Sequence, residues 1–452
     1  MTAALIRALK RRETEEKPVT VGLAGCGQMG IDLVVQIARM PGMRLGAVAA
    51  RSIEAVRNAA VLAGHDAAHV VEAGTSAEVA RVLHDGRMAA TLDIGEMVAA
   101  DGIDVVIDAS GHPNTGAECA AAAIANGKHV VMMNVEADIT VGRALKAAAD
   151  RAGVVYTLAA GDEPVATMEL IQFAEGLGMT VIAAGKGKNN ALDFNAVPAD
   201  YEAEARRRNM NPRMLVEFVD GSKTMIEMVA LANATGLVPD RPGMHGPNAT
   251  AATIAQILCP QSDGGILSRR GCVDFTIGPI APGVFCIVEA GHPRVLERMI
   301  DLKVGPGPYH ALIRPYHLTS LETPLSAAEA VLTGQPHMQP LDRPVAEAVT
   351  MAKRDLKPGD VLGRIGQEDY RAWTMTWEDA AEAGALPLGL AQDAVVTAPI
   401  AAGEVITEAA CRPDASLAIT RMRASLDLAD NRAAHPRQPT LLQQPTLLQQ
   451  AV

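Results

Sequence analysis

The sequence predicts an α/β chain whose N-terminal part folds as a doubly wound parallel sheet. Three observations carry this. Short β-branched runs alternate with Ala-rich helical stretches, as strand and crossover helix do in such a sheet. A glycine cluster follows the first apolar run at once and leads into a helical stretch. Aromatic residues are only 3% of the chain, so the cores must be built from Ala, Val, Ile, Leu and Met, which suit helices packed on a parallel sheet. At 452 residues the chain is too long for one ordinary core and implies two or three domains.

Taken in order, Pro18 to Ala24 is the first strand, Ile31 to Met40 a helix, and Met43 to Ala50 the second strand. Asp104 to Ala109, His129 to Met133 and Val154 to Ala159 are further strands. Gly116 to Ala125 and Val141 to Arg151 are helical stretches between them. Residues 1–160 are read as this first domain. From 161 to 335 the character changes to a mixed α+β substrate domain. Met179 to Ala184 is a strand, the stretch from Glu202 to Arg208 is helical, and Gly221 to Leu237 is a long apolar helix. Strands follow at Val273 to Ile277 and Gly283 to Glu289. The helix Ser320 to Thr333 is expected to pack back on the first domain. Residues 345–412 alternate Pro/Gly turns with short apolar strands, a small β-rich module. Residues 413–452 read as a partly disordered tail, in which Pro-Thr-Leu-Leu-Gln-Gln occurs at 439 and again at 445.

Gly25-Cys26-Gly27-Gln28-Met29-Gly30 is G-x-G-x-x-G, placed between a strand and a helix. Gly25 allows the tight turn, Gly27 lets a pyrophosphate approach the backbone, and Gly30 lets helix and strand pack closely. The N–H groups of the helix start, at Gln28 and Met29, would hold the anion. This is the dinucleotide fingerprint of the Rossmann fold. The second strand ends in Arg51 and Ser52, where an NAD site usually carries an acid. Either the pair holds the 2′-phosphate of NADPH or Arg51 is a solvated surface residue. Ser110, Gly111 and His112 end one strand and Asn134-Val135-Glu136 the next, at the edge where the cofactor crevice lies.

On the substrate side, Asp162 and Glu163 follow a strand directly. They read equally as a divalent-cation or proton-transfer pair and as acids favoured by a helix N-terminus. Lys186, Lys188, Asn189 and Asn190 cluster at a strand end, as a phosphate or carboxylate cradle or as a solvated loop. Lys223 opens the long apolar helix, as a proton-transfer group or an ordinary first-turn lysine. Arg241, His245 and His317 sit in Pro/Gly-rich loops and are weaker candidates.

The formal net charge is −12, with no basic face, so nucleic acid is not an expected partner. The six cysteines form no C-x-x-C pair and read as reduced thiols. No apolar run is long enough for a membrane span and no secretory signal opens the chain, so a cytoplasmic protein is expected.

Several of these features carry a resemblance. The first 335 residues or so resemble homoserine dehydrogenase-like proteins in Gly25 to Gly30, in the Asp-Val-Val-Ile-Asp-Ala strand and in Gly127-Lys128-His129-Val130-Val131. Asp220-Gly221-Ser222-Lys223 looks like that family's catalytic Asp and Lys segment. Residues 345–412 look like a SAF domain. With Gly161-Asp162-Glu163-Pro164, nearly the whole chain is similar to the deoxyxylulose-phosphate reductoisomerase-like proteins.

That resemblance implies rearrangement of 1-deoxy-D-xylulose 5-phosphate, a small phosphorylated sugar, followed by reduction with NADPH to 2-C-methyl-D-erythritol 4-phosphate. Lys186 and Lys188 would hold the phosphate, and Asp162 with Glu163 a Mg²⁺ or Mn²⁺ ion. A homodimer is implied too. The competing expectation is a dehydrogenase or oxidoisomerase of a sugar acid or hydroxy acid that uses Lys223 and no metal. A third is a non-catalytic NADPH-binding regulator.

Overall fold

The structure, a computed structural model, describes residues 3–430. Seven apolar segments form one sheet: β1 (Val19–Ala24), β2 (Met43–Ala49), β3 (Val70–Glu72), β4 (Met88–Thr91), β5 (Val105–Asp108), β6 (His129–Met132) and β7 (Tyr156–Leu158). Their spatial order is β3-β4-β2-β1-β5-β6-β7, and every pairing is parallel. Parallel neighbours need crossover helices, which is why these strands are mostly apolar: both faces are covered. The chain winds outward from β1 through β2 and then returns to β5 on its other side. The point of reversal lies between β1 and β5, and a crevice opens there beyond the strand C-termini.

A second sheet has the order β12-β11-β8-β10-β9, built from β8 (Thr180–Lys188), β9 (Val238–Pro239), β10 (Cys272–Ile277), β11 (Val284–Glu289) and β12 (Tyr309–Arg314). β8, β9 and β10 run parallel, whereas β11 pairs antiparallel with both β8 and β12, so this region is α+β as expected. Helices Glu163–Gly176 and Ser222–Thr235 pack on it. The helix Thr323–Thr333 does return to the first sheet and packs on β6, β5 and β1.

The C-terminal block contains two short antiparallel pairs, β13 (Ala346–Ala352) with β14 (Tyr370–Thr376), and β15 (Val395–Val396) with β16 (Cys411–Arg412). β14 lies against the helix Ser222–Thr235. The helix Ala418–Ala429 packs on helices Val135–Ala152 and Pro113–Ala125. The module therefore touches both of the other regions, and the expected tail begins with an ordered helix. The Pro-Thr-Leu-Leu-Gln-Gln repeat lies outside the described residues.

Several boundaries differ from the sequence expectation. The helix read from Val141 begins at Val135, because Asn134 caps it through its Oδ1, which accepts the N–H of Ala137 at 3.1 Å. The strand read as ending at Ala184 runs on to Lys188. Gly185 and Gly187 are there because a side chain would not fit: a Cβ would stand 1.6 Å from the carbonyl oxygen of Asp274 at Gly185, and 2.3 Å from the nitrogen of Ala281 at Gly187. The Gly-Lys-Gly-Lys sequence is thus a tightly packed strand rather than a loop. Lys186 and Lys188, two residues apart, share one face of it.

Candidate active site

The glycine loop ends β1 at the sheet's reversal point. Gly25 has φ +105, and a Cβ on it would lie 2.5 Å from the carbonyl oxygen of Ala109. A Cβ on Gly30 would lie 2.4 Å from the carbonyl oxygen of Gly25. Both glycines are demanded by backbone packing. Gly27 is different: a Cβ there would meet nothing within 4 Å. Gly27 also caps the helix Gln28–Ala38 without any side-chain hydrogen bond, so the first N–H groups, at Gln28 and Met29, stay open to an anion. An unfilled cradle over free helix N–H groups is what a pyrophosphate requires, so the residues fit a dinucleotide.

Around that cradle, Ser110 and Gly111 follow β5. The Ser110 hydroxyl and the Nδ1 of His112 are buried without a partner among the described residues. His112 Nε2 lies 2.9 Å from the side-chain nitrogen of Gln392 in the C-terminal module. Arg51 and Ser52 are exposed just past β2. The Ser52 hydroxyl accepts the N–H of Ala55 at 3.2 Å and caps the next helix.

The substrate side is a buried network of acids and lysines. Lys186 donates to Glu163 Oε1 at 2.6 Å and also pairs with Glu227. His317 Nε2 stands 3.3 Å from Glu163 Oε1, and its Nδ1 is 2.9 Å from the carbonyl oxygen of Gly161. The ammonium of Lys223 lies 3.7 Å from Glu227 Oε1 and 3.8 Å from Glu136 Oε1. Asp162, Glu163 and Glu227 each place an oxygen within 4.8 Å of the others. Asp162 precedes the helix Glu163–Gly176 but makes no cap bond, so capping is not its role.

Burial dominates the electrostatics. It raises Asp162, and the neighbouring Glu163 adds to the effect. Glu227 is raised by burial and by Glu163. Glu163 goes the other way: burial opposes ionisation, but Lys186 and His317 hold its carboxyl well below the usual range. Burial disfavours the charged form of Lys223, yet Glu136, Asp162 and Glu227 outweigh it and keep the ammonium. The site thus holds one firmly ionised acid, two carboxyls inclined to keep a proton, and two ammonium groups, a set suited to proton transfer.

Of the residues singled out from sequence, Asp162, Glu163, Lys186, Lys223 and His317 converge here. The expected cradle of Lys186, Lys188, Asn189 and Asn190 does not form as one site. Lys186 is enclosed by carboxylates, Lys188 donates to the carbonyl of Phe218 at 2.7 Å, Asn189 is exposed and Asn190 half-buried. Arg241 and His245 also stay apart. Arg241 donates to the carbonyl of Met244 at 3.0 Å, and His245 Nε2 lies 2.8 Å from Asp240, so both brace their own loop. Glu227 was missed. Its signal was available: it is the one acid in the helical stretch Ser222–Thr235, four residues after the stretch's one cation, Lys223, and so shares its face.

Fold and site together set a dinucleotide-binding sheet against a buried network of acids and lysines. Family comparison agrees in both domains. Residues 25–159 match the NAD-binding domain of homoserine dehydrogenase, and residues 161–323 match the catalytic domain of oxidoreductase DRL. A search of the curated proteins gives no match. Among solved structures the chain is similar to a probable dehydrogenase of Thermotoga maritima, at 13% identity and TM-score 0.41, covering 70% of this chain and 90% of that one. It is also similar to the biliverdin reductase of Synechocystis, solved with biliverdin and NADP⁺, at 16% identity and TM-score 0.28. That match covers 40% of this chain and 49% of the reductase, so the chain spans about half the reductase's length. An Agrobacterium radiobacter oxidoreductase, solved with NAD⁺, L-tartaric acid and magnesium, matches at 12% identity and TM-score 0.29, over 39% and 45% of the two chains. Among the described residues no helix is long and apolar enough to cross a membrane.

Proposed function

We propose that the protein catalyses reversible hydride transfer between NADP(H) and a small hydroxy or carbonyl compound of the sugar-acid or hydroxy-acid class, with Lys223 moving the proton. The observation that carries this reading is the placement of Lys223, which faces Glu136 of the dinucleotide domain and Glu227 of its own helix. The nicotinamide, when bound, supplies or accepts the hydride.

In the reducing direction, the Lys223 ammonium hydrogen-bonds the substrate carbonyl oxygen and draws charge onto it. As the carbon gains hydride, the C=O π pair becomes an oxygen lone pair, and Lys223 passes its proton to that oxygen. Glu227 and Asp162, both inclined to hold a proton, stand within the same network to restore it to the amine. Lys186 fixes Glu163 and Glu227 in place. The preference for NADPH over NADH rests on Arg51 and on the absence of an acid at the end of β2.

One observation favours a second reading. The three carboxylates of Asp162, Glu163 and Glu227 form a donor set that suits Mg²⁺ or Mn²⁺, with the Lys186 ammonium now among them. A metal there would supply the Lewis acid that the rearrangement of 1-deoxy-D-xylulose 5-phosphate needs. One assay separates the two. NADPH oxidation is followed with a panel of keto acids and keto sugar acids, and with 1-deoxy-D-xylulose 5-phosphate, each with Mn²⁺ and with a chelator. Turnover of an acid that survives the chelator supports the dehydrogenase. Turnover of the phosphorylated sugar that the chelator abolishes replaces it with the reductoisomerase. Dinucleotide binding with no turnover across the panel, matched by Lys223→Met, would make the chain a binding protein.

A further inference from the structure

A second charged cluster lies one turn from Lys223. Asp220 is fully buried at the end of the helix Pro212–Val219. Its Oδ1 accepts the N–H of Ser222 at 2.9 Å, and its Oδ2 lies 2.6 Å from the ammonium of Lys353 in β13's outgoing loop. Lys353 also donates to the carbonyls of Ala196 and Gln367, at 2.9 and 3.0 Å. This pair is electrically balanced.

Two more cations enter the neighbourhood of Asp220. Lys188, 5% exposed, comes from β8, and its ammonium donates to the carbonyl of Phe218. Arg371, 8% exposed, comes from β14 and lies 4.4 Å from the ring of Phe194 and 4.5 Å from that of Trp373. Its only polar contacts among the described residues are the carbonyl of Ala372 at 3.4 Å and the sulfur of Met351 at 2.7 Å. Neither Lys188 nor Arg371 has a carboxylate within ion-pair distance among the described residues. The nearby Glu217 is already matched by Arg213. The cluster therefore carries three cations against one used carboxylate.

A buried charge without a counter-charge is costly, and the side chains register it. Burial, with Lys186 beside it, pushes Lys188 down to about 8. Burial pushes Arg371 down to about 10. Two positive charges in surplus call for an anion. Phe194 and Trp373, edge to face with each other, both lie against the Arg371 guanidinium, whose remaining N–H donors suit planar oxygens.

We propose that Lys188 and Arg371, with Lys353 beside them, form a subsite for an oxyanion of the substrate, a carboxylate or a phosphate. The inference deepens the oxidoreductase reading and rests on it for the word substrate. Asp220 and Ser222 open the turn that carries Lys223, and the Ser222 hydroxyl accepts the N–H of Ala372, the residue after Arg371. Arg371 and Lys353 come from the C-terminal module, so that module completes the site.

The test needs no turnover, so its failure is separable from failure of the proposed reaction. Full-length protein is saturated with its dinucleotide, which fills the pyrophosphate cradle. Its thermal midpoint and calorimetric binding are then measured with malonate and with inorganic phosphate, against chloride at matched ionic strength. Wild-type protein is expected to be stabilised by one or both oxyanions beyond chloride. Tighter malonate binding assigns a carboxylate, and tighter phosphate binding a phosphate. Lys188→Met and Arg371→Met should each weaken oxyanion binding by about tenfold or more. Lys188→Met should in addition match or exceed the wild-type midpoint without anion, because it removes one surplus charge. Equal effects of oxyanion and chloride, or unchanged binding in Lys188→Met, would overturn the proposal. Lys188→Met keeps it falsifiable if Arg371→Met does not fold.

Discussion

The two ends of the crevice are built in opposite ways. The dinucleotide end is made of backbone: glycines, open N–H groups and a helix start, with little charge. The substrate end is made of side chains, with Glu136, Asp162, Glu163, Lys186, Lys223, Glu227 and His317 drawn from separate stretches of chain into one buried network. A backbone site tolerates loss of any one side chain but no added bulk. A side-chain site tolerates bulk nearby but not the loss of a charge.

The largest expected effect lies at the charged end. Lys223→Met should lower kcat by roughly 10²–10⁴-fold, the usual worth of a positioned proton donor, and leave dinucleotide affinity unchanged. Steady-state kinetics with a dinucleotide titration checks it. A fall in affinity comparable to the fall in kcat would mean that the two ends are not separable.

The backbone end breaks differently, and its glycines should not behave alike. Gly27→Val adds bulk where a Cβ meets nothing and where φ is −80, so the fold should keep its melting temperature. Dinucleotide binding should still weaken by about tenfold or more, each tenfold being about 1.4 kcal/mol. Gly30→Val drives a Cβ into the carbonyl oxygen of Gly25 and should cost about 1–3 kcal/mol of stability before any effect on binding. Denaturant melts and dinucleotide titrations of the pair would show whether Gly27 faces the ligand alone.

The same contrast governs what was legible in the sequence. Gly25 to Gly30 could be read because a backbone site has a local spacing, and strand, turn and helix follow within a dozen residues. The acid–lysine network could not be assembled from spacing. Its members are up to 181 residues apart, from Glu136 to His317, and only the fold of the second sheet brings them together. Individual members were still visible as charges at strand ends or in apolar helices. Gly-Lys-Gly-Lys misled in a specific way. Glycine that signals a flexible loop in isolation marks a strand packed too closely for a Cβ. The helical elements between β2 and β5, Ile53–Leu62, Ser76–His84 and Ile94–Ala99, were passed over because none is longer than 10 residues, too short for a helical period to stand out.

A smaller effect tests the cofactor edge. Arg51 is exposed and has no carboxylate partner among the described residues, so a charge reversal there should leave the fold intact. Arg51→Asp should shift the preference from NADPH toward NADH by about tenfold or more, the worth of one charge-assisted contact. Equal use of both dinucleotides before and after the change would place Arg51 in solvent in the complex as well.

The smallest effect is a stability signature away from both ends, in the helix that delivers Glu136. Asp138 is buried, and its Oδ1 accepts the hydroxyl of Tyr156 at 2.8 Å. Burial pushes its carboxyl up to about 7 from an ordinary 3.8, with the Tyr156 hydrogen bond opposing. The raised value fixes the sign. The folded state holds the proton more tightly than the unfolded chain does, so the contribution is fully present below about pH 4 and is lost as pH rises through 7. Between pH 5 and 8 the native protein should therefore lose part of its stability at this residue. Asp138→Asn keeps an oxygen that accepts from Tyr156 and has no proton to lose. The difference in melting temperature between variant and wild type should grow in favour of the variant by roughly a few degrees over that range. Asp162 and Glu227 are raised in the same direction but are present in both proteins, so they cancel in the difference. A difference that stays flat from pH 5 to 8 would mean that Asp138 is ionised within the fold, with Tyr156 holding an anion instead of an acid.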